Sequence, residues 1–199
     1  MTQTSTALVI DNSNVLITPF SPSLVPPPVS LFTLKFCSAV QDTTFLYENS
    51  KNHLAACLSD GNLCIVELPG TDTWEQFEDR EFIVETSLSD LTIGTLMHLT
   101  WLDSHSLVGV SHHFTNSCAT TSLRASDLSH QQSKCSHGYS LLEIELVCSE
   151  DSVPSSVISS GWHANVSKSL SLEGPIVSIV QNPAKRCSAF VQMDGGSIF

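Results

Sequence analysis

The sequence predicts an all-β fold, a partial β-propeller whose blades of four antiparallel strands do not close a ring. Three observations predict it. Apolar residues come in short runs rich in Val, Ile, Leu and Phe, separated by turn residues, which is a strand pattern and not a helix pattern. One plan of strand, turn and strand recurs along the chain. The best-defined hairpin is apolar on both faces, so it needs a sheet on each side.

Residues 6–20, TALVIDNSNVLITPF, read as two short strands around Asp11-Asn12-Ser13-Asn14. Leu24-Val25-Pro26-Pro27-Pro28 follows. Its prolines lack backbone donors and favour extended geometry, so it is a linker or a crossing between sheets. Residues 54–68, LAACLSDGNLCIVEL, form a hairpin around Asp60-Gly61. Asp-Gly suits a two-residue type I′ loop. That loop pairs Ser59 with Asn62, Leu58 with Leu63 and Cys57 with Cys64.

Residues 71–90 hold the acids Asp72, Glu75, Glu78, Asp79, Glu81, Glu85 and Asp90 against Arg80 alone, with Trp74, Phe77 and Phe82 interleaved. The stretch predicts an exposed acidic connection with a helical turn near 74–81. It is either a solvated loop or a contact for a basic partner. Residues 96–110 return to strand-like runs around Asp103-Ser104. Residues 111–138 lose all periodicity and read as a long flexible insertion. A strand follows at 139–147, and a short one at 157–164 ending in Gly161-Trp162-His163.

The repeat ties these pieces together. Val40 through Phe45 leads to the strands 54–58 and 63–68. Leu96-x-x-Leu99 leads to Trp101, the strand 107–110 and, after the insertion, 141–147. Ile176-x-x-Ile179 leads to Asn182-Pro183, the strand 187–191, Asp194-Gly195-Gly196 and a last strand that stops at Phe199. A unit of ~40–50 residues with about four strands is a propeller blade. A closed ring needs ~4–8 blades, and about three are counted here, so the sequence reads as a fragment of a longer polypeptide or the product of a truncated gene model.

Composition narrows the function. The chain has 199 residues, 8 Lys+Arg and 20 Asp+Glu, a formal charge of −12. That balance argues against gripping a phosphate backbone, and Lys185-Arg186 is the only basic doublet. No apolar run approaches the ~18 residues of a membrane span. The N-terminus lacks the basic and apolar regions of a secretory signal. With seven cysteines, an odd count, the expectation is reduced thiols in the cytoplasm, and also in the nucleus.

No phosphate loop, dinucleotide fingerprint or Gly-x-Ser-x-Gly elbow is present. His112, His113, Cys118, His130, Cys135 and His137 offer zinc-type donors, but in no known spacing, so a plain loop is preferred to a metal site. Cys57 and Cys64, as cross-strand neighbours, are read as packed thiols and not a disulfide. Trp101-x-Asp103-x-His105 is read as a buried aromatic before a polar turn and not a catalytic pair. Serines and threonines at 115–136 are candidates for phosphorylation. No catalytic, cofactor-binding or metal residue is assigned.

The stretches VIDNSNVLITPF, LVPPPVSLF, LSDGNLCIVELP, TWLDSH, EIELVCSEDSVPSSVISSGWH and LEGPIVSIVQNPAKRCSAFVQMDGGSIF together resemble the family of the largest Elongator subunit, the IKAP-type scaffold proteins, in its plant form. The resemblance is weakest over 111–138. It implies two tandem WD-repeat-type propellers, with residues 1–24 closing the first, 25–30 as a proline linker, and 31–199 forming three blades of the second. It also implies a non-catalytic scaffold in an assembly that adds a carboxymethyl-type group to the wobble uridine of tRNA. The partners implied are the catalytic radical S-adenosylmethionine/acetyltransferase subunit and a second WD-repeat subunit, with tRNA touched only indirectly. No membrane, cofactor or small-molecule substrate is implied. The alternatives are a propeller-type binding module of another complex, a zinc-stabilised module, and a propeller hydrolase with a site in the central channel. The acids lie largely in connections, which counts against the last.

Overall fold

The computed structural model describes residues 6–20, 29–47, 51–84, 95–115, 136–148, 162–185 and 187–199. Their strands form four sheets in chain order, in keeping with a partial propeller. In the first sheet, β1 (Thr6–Asp11) and β2 (Asn14–Pro19) form the expected hairpin. Asn12 takes φ 54° in its turn, a conformation asparagine tolerates. β2 then pairs antiparallel with β3 (Phe32–Lys35). Residues 6–20 are therefore not separate from the strand that begins at Phe32, although the expected boundary between two propellers requires them to be. The pairing puts Val15 and Ile17 beside Phe32 and Leu34 on one buried face, which separate units would leave exposed. Residues 25–28 lie outside the described residues.

The second sheet contains β4 (Val40–Tyr47), β5 (Lys51–Leu58) and β6 (Leu63–Pro69). It has three strands, not four. The chain leaves β6 through a 3-10 turn, Thr71–Phe77, and β7 (Arg80–Ile83) pairs parallel with β3 of the first sheet. Burial explains the crossing. Trp74 and Phe77 meet the ring of Phe32 edge to face, at 5.4 and 5.7 Å. The acidic segment is thus exposed only on one side: Glu75, Glu78, Asp79 and Glu81 face solvent while the aromatics enter the core.

The β5–β6 register also differs from the expectation by one residue. Cys57 pairs with Leu63, and Cys64 with Ala56. The loop holds three residues, Ser59-Asp60-Gly61. Only Gly61 has positive φ (84°), and the Leu58 amide donates to the Asn62 carbonyl. That is the three-residue hairpin with a glycine bulge, not a type I′ turn. Asp60 fixes it: one carboxylate oxygen accepts from the Ser38 hydroxyl at 2.6 Å and the other from the Asn62 amide at 3.1 Å. A one-residue slip exchanges faces, so Cys57 and Cys64 point to opposite sides of the sheet.

The third sheet is a meander of β8 (Leu96–Asp103), β9 (Ser106–Thr115), β10 (Ser136–Cys148) and β11 (Trp162–Leu172). β9 and β10 extend into the region expected to be insertion, leaving 116–135 outside the described residues. Trp162 opens a strand, where the expectation had it near the end of one. The fourth sheet has β12 (Ile176–Gln181) and β13 (Ala189–Met193), with a bridge from Gln192 to Ile198.

One core fills each gap between successive sheets. Leu54, Ala56, Leu58, Cys64, Val66 and Leu68 face the first sheet. Ala55, Cys57, Leu63 and Ile65, on the other side of the same hairpin, face Leu96, Leu107 and Ile144 of the third. Leu102, Val108 and Val110 then meet Ile176, Ile179 and Val191 of the fourth. The two-faced hairpin is thus covered on both sides, as expected. β4 packs beside β8 and β8 beside β12, which places these three strands together at the inner edge.

Candidate interaction surface

Several polar side chains on and beside the inner strands join neighbouring sheets. Asp42 on β4 accepts from the Leu99 amide at 2.9 Å through one oxygen and from the Thr43 amide at 2.8 Å through the other. A bulge in β8, with His98 at φ 56°, aims the Leu99 amide at that carboxylate. The Trp101 indole donates to the Thr44 carbonyl at 3.2 Å. His53 of β5 lies between Trp101 and Trp162, with ring centroids at 5.9 and 5.5 Å, and its Nε2 is 3.8 Å from a Glu67 oxygen.

The next seam repeats the device. The Gln181 amide group donates to the Leu102 carbonyl at 2.8 Å, and the Thr100 hydroxyl to the Ile179 carbonyl at 3.3 Å. One Asp103 oxygen accepts from the His105 amide and the Ser106 hydroxyl, both at 2.8 Å. The other accepts from the Cys187 thiol at 2.7 Å. Burial pushes the Asp103 carboxyl up, but the bonds from Cys187, His105 and Ser106 outweigh it and hold the group below its ordinary range. Cys187 reaches across with φ 55°, an unfavourable conformation for a residue other than glycine.

The sequence-level candidates fall into place accordingly. Trp101 is buried and Asp103 closes a turn, the expected buried aromatic before a polar turn. The Ser104 hydroxyl lies 2.8 Å from His105 Nδ1, yet Asp103 receives the His105 backbone amide and not its ring, so no proton relay is assembled. The His112 ring lies tilted by 41° at 4.9 Å from that of Tyr139. His113 and His137 occupy paired positions one step apart on β9 and β10. Cys118, His130 and Cys135 lie outside the described residues, as do Arg186 and most of the 115–136 serines and threonines. Among the described residues, no group of three or more His, Cys, Asp or Glu side chains is placed to hold a metal ion. The seam residues Asp42, Thr44, His53 and Gln181 were not singled out from sequence. Nothing local marks them, because their partners are 57 to 79 positions away or on another sheet.

One open face of the described residues is apolar. On the fourth sheet, Val180 pairs with Phe190 and Gln192 with Ile198, all on the face turned away from the third sheet. Val180, Phe190 and Ile198 are 58%, 48% and 66% exposed, where Ala55 and Ile65 on the equivalent face of the second sheet and Val108 and Val110 on that of the third are buried. A cleft of about 570 Å³ runs between β10–β11 and β13, lined by Leu141, Leu170, Val191, Met193 and Phe199. Exposed apolar patches, where large and contiguous, mark sites that meet protein, membrane or ligand.

The family model described as "ELP1 N-terminal second beta-propeller" matches residues 9–199. The chain belongs to that family. Its match therefore begins within β1, in agreement with the pairing of β1 and β2 to β3. The chain is 46% identical over 196 residues, 98% of its length, to Elongator complex protein 1 of Arabidopsis thaliana, and covers 14% of that protein. It is 37% identical over 65 residues to a putative elongator complex protein 1 of Xenopus laevis, covering 33% of this chain and 6% of that one. The chain thus spans a small part of the relatives it matches, within a propeller of the ELP1 family.

Proposed function

We propose that this chain is a non-catalytic scaffold piece of the Elongator assembly, supporting tRNA wobble-uridine modification through protein–protein contacts. The observation that carries the reading is its 46% identity along almost its whole length to an Elongator complex protein 1. The geometry supports it. Asp42 and Asp103 are engaged by sheet-to-sheet bonds, while the open surface of the last sheet is apolar. The partners proposed are the catalytic radical S-adenosylmethionine/acetyltransferase subunit and a second WD-repeat subunit, with tRNA contacted through them. The proposed location is the cytoplasm, and also the nucleus.

Co-purification tests the reading. The tagged chain is expressed in plant cells, checked as a folded β-rich species by circular dichroism and size exclusion, and analysed for Elongator subunits. Their recovery is the expected result. A folded chain that recovers none of them would refute the proposal.

A further inference from the structure

Lys185-Arg186, the only basic doublet, takes no part in the cores or the seams described above. It stands three and two positions before Ser188, and no other serine or threonine of the chain has two basic residues among the three that precede it. Positions 174–193 hold no acid, in a chain whose formal charge is −12. Among the described residues, Lys35 and Lys168 are paired with Glu81 and Glu143, whereas no carboxylate pairs with Lys185. Its charge is therefore open to a partner.

The fold presents this segment at the tip of a hairpin. Residues 182–188 join β12 to β13. Lys185 and Cys187 are exposed, and Ser188 is half-buried. The loop is tied by its own polar groups. The Ala184 amide donates to the Asn182 side-chain oxygen at 3.0 Å, the Asn182 amide to the Ser188 carbonyl at 2.9 Å, and the Ser188 hydroxyl to the Lys185 carbonyl at 2.9 Å. A segment held by surface hydrogen bonds and little burial opens at low cost, so an enzyme can draw it out. The loop also lies at the strand ends and not on a sheet face, so covering the open face of the fourth sheet leaves it accessible.

These observations fit one class of partner. Kinases select substrates by charge pattern, and an acidic substrate groove favours cations just upstream of the acceptor hydroxyl. We infer that Ser188 is a phosphorylation site for a basic-directed serine kinase, and that its phosphate loosens the join between the third and fourth sheets. In the transfer, Ser188 Oγ attacks the γ-phosphorus of ATP and the bond from that phosphorus to the β,γ-bridging oxygen breaks. ADP leaves, and the hydroxyl proton passes to the kinase's catalytic aspartate.

The loosening follows from what Ser188 touches. A phosphoserine has no hydroxyl to donate to the Lys185 carbonyl, and it adds a charge of about −1.5 to −2. The adjacent residue, Cys187, donates its thiol to Asp103 at 2.7 Å, a tie across the seam. The phosphate brings a second anion close to that carboxylate, which repels it. Lys168 lines the same cleft as Cys187 and Ser188, but Glu143 already engages it at 2.8 Å. The inference rests on the hairpin tip and not on the scaffold reading.

Phosphorylation of the 199-residue chain tests it. The folded chain, checked by circular dichroism, is incubated with Mg-ATP and the catalytic subunit of cyclic-AMP-dependent protein kinase, and the phosphate is located by peptide mass spectrometry. Ser188 is expected to be the main acceptor, with a rate about 10-fold lower in the Lys185→Ala/Arg186→Ala variant. A phosphate carried mainly elsewhere, or an unchanged rate in that variant, overturns the assignment. The chain purified from plant cells under phosphatase inhibitors is expected to carry phosphate on the same peptide, and its absence there overturns the site as a physiological one. In the phosphorylated chain the Asn182 amide is expected to exchange about 10-fold faster than in the unmodified chain, while Ser188→Ala, which removes the donor and adds no charge, stays within about 3-fold. Equal exchange before and after phosphorylation overturns the loosening.

Discussion

Replacing Trp74 by alanine tests the crossing between the first two sheets. Trp74 has no exposed surface, and its ring stands edge to face on Phe32 at 5.4 Å and on Phe45 at 6.3 Å. Truncating a buried tryptophan costs about 3–5 kcal/mol, from lost apolar transfer and the cavity left behind. The edge contacts supply part of that, ~0.5–1.5 kcal/mol each. Folded domains hold only ~5–15 kcal/mol in total, so the variant keeps much less of its stability. In urea, a loss of about 4 kcal/mol at a slope of about 2 kcal/mol per molar lowers the midpoint by about 2 M. Glu75→Ala, on the exposed side of the same turn, is the control and changes stability by less than about 0.5 kcal/mol. A Trp74→Ala loss below about 1 kcal/mol, well short of the usual cost of such a truncation, would mean that the aromatic cluster does not hold β7 against β3.

Three further outcomes are expected. Gly61→Ala forces a side chain into φ 84° and costs about 1–2 kcal/mol in thermal or urea unfolding, while Gly195→Ala, with open space around its Cβ position and no positive φ, is close to neutral. Asp103 has a folded pKa below its unfolded value of about 3.9. Its stabilisation is therefore complete above that value and lost as pH falls through the folded pKa. A series of melting temperatures from about pH 5 to about pH 2 should fall less steeply in Asp103→Asn than in the parent. Cys37 and Cys187 are exposed, whereas burial raises the Cys57 thiol and pushes Cys64 up to about 12. Brief alkylation followed by peptide mass spectrometry should label Cys37 and Cys187 and spare Cys57 and Cys64 until denaturant is added.

The strands whose apolar residues face two neighbours were legible in the sequence. LAACLSDGNLCIVEL cannot be half exposed, and that alone requires stacked sheets. The register was harder, because Asp-Gly serves both a two-residue and a three-residue loop. The choice depends on Ser38, which lies 22 positions away and binds Asp60. The acidic stretch misled in a different way. Its charge pattern describes the solvent side correctly, but the spacing of Trp74, Phe77 and Phe82 carries the burial, and Phe32, which receives them, stands on β3, far back in the chain. The seams were illegible for the same reason. Asp103 looks like any turn aspartate until Cys187, 84 positions on, delivers its thiol.

The parallel attachment of β7 to β3 has a consequence for how the chain comes apart. Repeat arrays usually unfold as a sum of units and nearest-neighbour terms, so that an end unit can fray alone. Here the fourth segment of the second repeat is an integral strand of the first repeat's sheet. Neither repeat can melt without removing a strand or a core face from the other, so the two behave as a single cooperative block. During synthesis, the first sheet stays one strand short until residues 80–83 have emerged from the ribosome, and its outer edge is exposed to mispairing for that interval.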